Sequence, residues 1–263
     1  MKPKNDSRGL NRGKPTNNER GLSNELSQTR VLEKSKEAAQ IKSSREPGWV
    51  ARAIKKPSPL TGVKRRLPII GTVIHATKGG PAKRLVNNLS NDDSWHFTIS
   101  RGGKIYQHVS LMNTAAHAGR SRLFFKNRFV GGDVMNRRTI GVELANWLEV
   151  VKDKNVFRPY NHKLKKVMKE KSVKGIGDTI QIGQARTATG EILDLYWEKY
   201  TDLQINSLKF LLGEIAKAGH PQALSLIGHE QISPKRKVDP GPAFPFDRLN
   251  DWAYQKFVYF STR

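Results

Sequence analysis

The sequence predicts an α/β domain, a mixed central β-sheet flanked by helices. Three observations predict it. Short apolar, β-branched runs of strand length recur along the chain. Two longer stretches carry helical periodicity. The strand and helix signals alternate instead of segregating into blocks, which is the pattern of layered α/β architecture.

Taken in order, Ile69-Ile70-Gly71-Thr72-Val73-Ile74 is a short apolar run that reads as a buried strand. Residues 95–100 and 104–109 flank Arg101-Gly102-Gly103 and read as a β-hairpin. Residues 139–145 form another strand. Residues 151–200 are an extended region in which 161–171 reads as a basic helix, and 179–182 pairs with 192–196 as a hairpin. Thr201 and Gln204 make a capping-box pattern ahead of an apolar stripe of Leu203, Ile205, Leu208, Leu211, Leu212 and Ile215, and Gly219 ends that helix. Leu224-Ser225-Leu226-Ile227 is a further buried strand, and 246–257 reads as a C-terminal helix.

Residues 1–66 are expected to be a basic, flexible extension and linker, and 67–263 the folded domain. The first 46 residues are rich in Asn, Ser, Lys, Arg and Glu and poor in aromatics, with a weak helical pattern over 22–42. Pro47-Gly48 and Lys56-Pro57-Ser58-Pro59 punctuate the stretch between that segment and the first predicted strand. The chain carries a net charge of +24, and residues 1–66 hold 17 Lys and Arg against 6 Asp and Glu. Both parts are therefore basic, which points to polyanionic surroundings such as nucleic acid, an anionic membrane or an anionic cell wall. No cysteine is present, which excludes disulfides, thiolate metal ligands and a cysteine nucleophile. No run approaches the roughly 18 apolar residues of a membrane span. Residues 1–20 lack the apolar core of a secretory signal, so synthesis in the cytoplasm is expected, with any action on a cell wall coming after release by another factor.

Two buried strands end alike. Ile74 precedes His75, and Ile227-Gly228 precedes His229. Ligand sites of α/β sheets lie at strand carboxyl ends, so the two imidazoles can converge at one edge of the sheet. Asp239 comes ten residues after His229, in a loop stiffened by Pro240 and Pro242. Two imidazoles and one carboxylate are a zinc set that leaves a position open for chemistry. The same residues also fit strand-end histidines that are merely hydrogen-bonded, and an aspartate that opens a turn. In the strand over 139–145, Ile140, Val142 and Leu144 share one face, and Thr139, Gly141, Glu143 and Ala145 the other. Small neighbours leave room beside the Glu143 carboxylate. Lys237 lies two residues before Asp239, on the same side if that segment is extended.

The stretch from Gly228 to Phe244, containing His229-Glu230 and Lys237-Val238-Asp239-Pro240-Gly241-Pro242, resembles the C-terminal signature of the type 2 N-acetylmuramoyl-L-alanine amidases. That family includes anhydro-muropeptide amidases, phage lysins and peptidoglycan recognition proteins. Val73-Ile74-His75-Ala76-Thr77, Trp95 to Gln107, Ala116-His117-Ala118-Gly119 and Thr139 to Leu144 resemble four further blocks, in family order. The resemblance implies zinc (Zn2+) held by His75, His229 and Asp239. It implies Glu143 as general base and acid, and Lys237 as the cation that meets the oxyanion. It places His117 and Trp95 in the substrate cleft as substrate-binding residues, Trp95 at the point where several members carry a catalytic tyrosine. His96 is expected to be structural, and His108, His162 and His220 to be surface residues.

The function implied is hydrolysis of the amide bond between N-acetylmuramic acid and L-alanine in peptidoglycan. The basic extension favours a wall-degrading lysin held on anionic wall polymers. A cytosolic muropeptide-recycling amidase and a non-catalytic peptidoglycan-binding module are the alternatives. No pattern for specific nucleic-acid binding accompanies the charge.

Overall fold

The computed structural model describes residues 46–261 apart from 80–85, 87–88, 90–91, 126–127, 132, 155, 162–165, 169–177 and 235. These residues belong to one compact unit, Ser44–Arg263. The helix expected over 22–42 and His162 lie outside the described residues.

In chain order the first strands are β1 (Ile54–Lys55), β2 (Gly71–Ala76), β3 (Phe97–Ile99), β4 (Ile105–Gln107), β5 (Arg122–Phe125) and β6 (Arg128–Gly131). A short helix α1 (Asp133–Arg138) leads into β7 (Thr139–Leu144). Five strands come next: β8 (Glu149–Asp153), β9 (Val156–Asn161), β10 (Lys166–Val167), β11 (Thr179–Arg186) and β12 (Ile192–Glu198). The chain ends with α2 (Asp202–Lys217), β13 (Leu226–Gly228), a one-turn helix α3 (His229–Ile232) and α4 (Phe246–Ser261).

The central sheet is mixed, in the order β1-β4-β3-β7-β2-β13. Strands β3, β7, β2 and β13 run parallel, while β4 returns antiparallel to β3. This is the predicted class. One face is covered by α2 and α4. Ile205, Leu208, Leu211, Leu212 and Ile215 of α2 pack with Ile74, Ile140, Val142 and Leu144 of the sheet. Burying each such side chain contributes about 1.5–3 kcal/mol before conformational entropy is set against it. The capping box forms as expected: Gln204 N–H donates to Thr201 Oγ1 at 3.2 Å, and Thr201 N–H to Gln204 Oε1 at 3.1 Å. Leu203, counted in the predicted stripe, is exposed instead. The opposite face of the sheet carries a smaller core of Val73, Ala118, Met135, Ile227 and Ile232, and beside it the polar residues His75, His117 and Glu143.

The extended region is a second, antiparallel sheet in the order β10-β9-β8-β12-β11. It has a core of its own, Val151, Tyr160, Val167, Ala185 and Leu195. Tyr160 donates its hydroxyl to the Arg186 carbonyl at 3.0 Å, linking β9 to β11. The hairpin expected between 179–182 and 192–196 is present as β11 and β12. The basic helix expected over 161–171 does not appear at the residues described there: Asn161, Lys166 and Val167 are in strands, where Val167 pairs with Tyr160 and is buried while Lys166 stays exposed.

Residues 46–66, read from the sequence as linker, are part of the folded unit. β1 pairs in parallel with β4, and Ala53 is in the main core. Arg65 supplies the strongest tie. Its guanidinium donates to four carbonyls, those of Leu111 at 3.1 Å, Arg137 at 2.6 Å, Asn113 at 3.0 Å and Thr139 at 3.4 Å. A Pro- and Gly-rich composition suits a segment bonded through backbone groups as well as it suits a linker. The sequence boundary at 67 therefore falls inside the unit.

Removing the guanidinium leaves several of these carbonyls without a donor. Arg65→Leu should lower unfolding free energy by roughly 2–4 kcal/mol, read from denaturant midpoints at unchanged m-value.

Candidate functional site

Parallel pairing decides which side chains meet. In the β2–β7 ladder His75 lies opposite Glu143. In the β2–β13 ladder Gly228 lies opposite Ile74, so His229, the next residue, reaches the level of His75. The three residues thus gather near the carboxyl ends of three adjacent strands, on the face that α2 leaves free.

The ring nitrogens Nδ1 of His75 and His229 are 2.8 Å apart. Asp239 Oδ2 is 3.0 Å from His229 Nδ1 and 3.5 Å from His75 Nδ1. Two imidazole nitrogens and a carboxylate oxygen thus turn toward one point, a group that could hold a metal ion. A tetrahedral zinc with bonds of ~2.0–2.1 Å keeps its donors about 3.3 Å apart, which the observed triangle brackets. All three residues are buried. Burial, partly offset by Asp239, lowers the His75 pKa to about 4. Burial works against the Asp239 charge, but the neighbouring imidazoles of His229, which is hydrogen-bonded to it, and His75 hold its carboxyl well below the usual range.

The loop that carries Asp239 is fixed from several sides. Its carbonyl accepts from Glu230 N–H at 2.9 Å, and Lys237 N–H donates to the Ser233 carbonyl at 3.0 Å. Tyr200 donates its hydroxyl to the Pro240 carbonyl at 2.9 Å. Gly241 has φ 77°, and a Cβ there would run into the Trp197 ring. Arg236 ties the same loop to the 118–120 segment through the carbonyls of Ala118 and Arg120, both at 3.1 Å. Trp197, Tyr200 and Arg236 were not singled out from the sequence. The two aromatics lie where an unclear region meets a strong helix, and their size alone was the available signal.

Around the triangle lies a cleft of about 480 Å³ that also includes Asp93, Trp95, His117, Glu143, Arg236 and Lys237. Glu143 is turned into it, with Oε2 buried and without a hydrogen-bond partner among the described residues. Burial pushes its carboxyl up to about 8, Asp239 adds to the shift and Lys237 opposes it. His117 stands beside His75, its Nδ1 3.0 Å from His75 Nε2. Its ring occupies the space above Gly141, where a Cβ would sit 2.6 Å away. Burial and the neighbouring histidines His75, His96 and His229 hold its pKa well below the ordinary value.

Trp95 lines the cleft but is mostly buried, and its indole N–H donates to Thr98 Oγ1 at 2.8 Å. It offers ring surface there and no hydrogen bond. His96 accepts from Gly141 N–H at 3.1 Å within the protein. His108 is not the surface residue expected: it is buried, 2.9 Å from Thr98 Oγ1 and 2.7 Å from the Lys56 carbonyl. The residue it bonds belongs to the segment taken for linker, so its partner was invisible in the pattern.

The model of the N-acetylmuramoyl-L-alanine amidase family matches residues 65–242. The 1,6-anhydro-N-acetylmuramyl-L-alanine amidase AmpD of Haemophilus influenzae is 27% identical over 157 residues, 59% of this chain and 55% of the relative. The chain thus spans about half the length of the curated relative it matches. A crystal structure of AmpD aligns at 22% identity and a TM-score of 0.48, covering 78% of this chain and 97% of that one. The N-acetylmuramyl-L-alanine amidase AmiD from E. coli, in complex with the substrate anhydro-N-acetylmuramic acid-L-Ala-D-gamma-Glu-L-Lys, aligns at 22% identity and a TM-score of 0.45. That alignment covers 74% of this chain and 60% of that one.

Position 141 is buried, and a methyl group there would collide with the His117 ring. Gly141→Ala should cost about 1–3 kcal/mol of stability, measured by chemical denaturation.

Proposed function

The chain belongs to the N-acetylmuramoyl-L-alanine amidase family, and from that premise we propose that it hydrolyses the amide bond between the lactyl group of N-acetylmuramic acid and L-alanine. The observation that carries the reading is the convergence of His75, His229 and Asp239 in one cleft with Glu143 and Lys237, all within the matched residues.

His75, His229 and Asp239 would hold zinc. When bound, zinc supplies Lewis acidity toward a carbonyl oxygen and a water molecule. The protein's own groups do the rest. Glu143, desolvated and with Oε2 unpartnered among the described residues, in its ionised form takes a proton from the attacking water and delivers it to the leaving amine nitrogen. Lys237, whose charge is felt at both His75 and Glu143, offers its ammonium to the oxyanion that forms as the carbonyl becomes tetrahedral. His117 and the Trp95 ring form the wall against which substrate rests. A non-catalytic binding module would need neither a desolvated carboxylate nor a cation beside the metal group.

The natural substrate is either wall polymer or soluble muropeptide. The name of the Haemophilus influenzae relative supports an anhydro-muropeptide. The net charge of +24 supports a polyanionic wall, with the basic N-terminal segment as an electrostatic anchor for anionic wall polymers in a lysin. Of the charge before residue 67, residues 1–43 hold 10 Lys and Arg against 5 Asp and Glu. The remainder, including Arg52, Lys55, Arg65 and Arg66, lies on the folded unit. Among the described residues no helix is long and apolar enough to cross a membrane.

The catalytic assignment is tested by substitution. The chain should hold about one zinc, and His229→Ala should lose metal and activity together. Glu143→Gln and Lys237→Met should keep zinc while turnover on a muropeptide falls by on the order of 10²-fold or more. Wild-type rates in either variant would remove that residue from the mechanism. The setting is tested by deleting residues 1–43. Hydrolysis of a small muropeptide should persist, while binding to purified walls weakens and loses salt sensitivity. Equal wall binding before and after deletion would reject the anchor.

A further inference from the structure

The hydroxyl of Thr139 sits two hydrogen bonds away from the metal group, and its own hydrogen is already committed. Thr139 comes directly after α1, and its Oγ1 is 2.6 Å from the carbonyl of Met135, four residues earlier. A carbonyl can only accept, so the single hydroxyl hydrogen points there. His117 Nε2 lies 3.2 Å from the same oxygen. With its hydrogen spent, that oxygen can only accept, and His117 must donate from Nε2.

A neutral imidazole carries one N–H. With the hydrogen of His117 on Nε2, its Nδ1 presents a lone pair to His75 Nε2, 3.0 Å away. His75 must then donate from Nε2, and its Nδ1 is left as a bare lone pair. That Nδ1 is the atom that faces His229 Nδ1 at 2.8 Å and Asp239 Oδ2 at 3.5 Å. The chain of bonds has no freedom to reverse while Thr139 bonds Met135. Thr139 is fully buried, so water does not compete for its oxygen. Gly141 supplies the space that seats the His117 ring between the two partners.

We infer that Thr139 and His117 are positioning residues that set the tautomer of His75, presenting its Nδ1 lone pair to the metal. The inference rests on the reading of His75, His229 and Asp239 as zinc ligands. His229 has no comparable support, since its Nε2 is buried without a partner among the described residues. The two imidazoles therefore differ: that of His75 is locked from behind through side chains, and that of His229 is held at Nδ1, where it meets Asp239 Oδ2 and His75 Nδ1.

The test uses the full zinc-loaded chain. Nitrogen-15 NMR of the imidazoles should show hydrogen on Nε2 of both His75 and His117. Zinc affinity, measured at fixed pH by competition with a chromogenic chelator, should fall about 10- to 100-fold in Thr139→Val, which keeps the shape and loses the acceptor. Thr139→Ser restores the hydroxyl and should bind zinc close to wild type. A merely structural role would lower the melting temperatures of both variants without separating their affinities. Hydrogen on Nδ1 of His117 in the wild-type chain overturns the inference, whether or not the valine variant folds. So does wild-type zinc affinity in Thr139→Val. A wild-type chain that binds no zinc fails at the first measurement, and removes the metal reading along with this one.

Discussion

The parallel register of β13, β2 and β7 is the constraint on which the site depends. Parallel neighbours end at the same side of a sheet, so residues near their carboxyl ends become neighbours without being close in sequence. His75 and Glu143 are level across one ladder, and Gly228 is level with Ile74 across the next. A slip of one residue in either ladder would turn the functional side chain into the apolar core. The core resists such a slip, because Ile74, Ile140, Val142 and Leu144 alternate with the polar residues and pack under α2. The hydrophobic face thus holds the polar face in place.

This alternation is why much of the site was legible in the sequence. Two strands ending in histidine, a strand with Glu143 among small residues, and a proline-braced aspartate each carry a local signal. The capping box at Thr201 was equally local. The features that escaped prediction depended on partners far along the chain. Arg65 looked like one of several basic residues, yet it donates to carbonyls between 46 and 74 positions away. His108 looked exposed until the Lys56 carbonyl reached it. The basic run suggested a helix through Lys166 and Val167, whereas Val167 is buried opposite Tyr160 in a strand. Backbone carbonyls have no sequence signature, so bonds to them are the hardest contacts to foresee.

The second sheet has a part in the site even though His75, His229 and Asp239 all lie outside it. Its last strand ends in Trp197 and Glu198, with Tyr200 just beyond. Trp197 lies against Gly241, and Tyr200 bonds Pro240. Glu198 accepts a two-point bond from Arg101 at 2.7 Å on each oxygen, and its carbonyl accepts from Asn146 at 3.1 Å. A buried bidentate pair has a fixed geometry. The end of β12 is therefore held to both the central hairpin and the segment after β7, and it holds the Asp239 loop in turn.

The electrostatics of the cleft arise from how these supports differ in charge. Asp239 and Glu143 are two carboxyl groups in one desolvated space, and each disfavours ionisation of the other. Their environments separate them. Asp239 has two imidazole partners at 3.0 and 3.5 Å and stays ionised. Glu143 has no hydrogen-bond partner for Oε2 among the described residues, and its affinity for a proton rises. One carboxyl is thereby suited to a cation and the other to a proton, although both lie in the same cleft. Pairs of titratable groups driven apart in this way are the usual basis for dividing binding from proton transfer. Here the division is built from the imidazole pair that lies against Asp239.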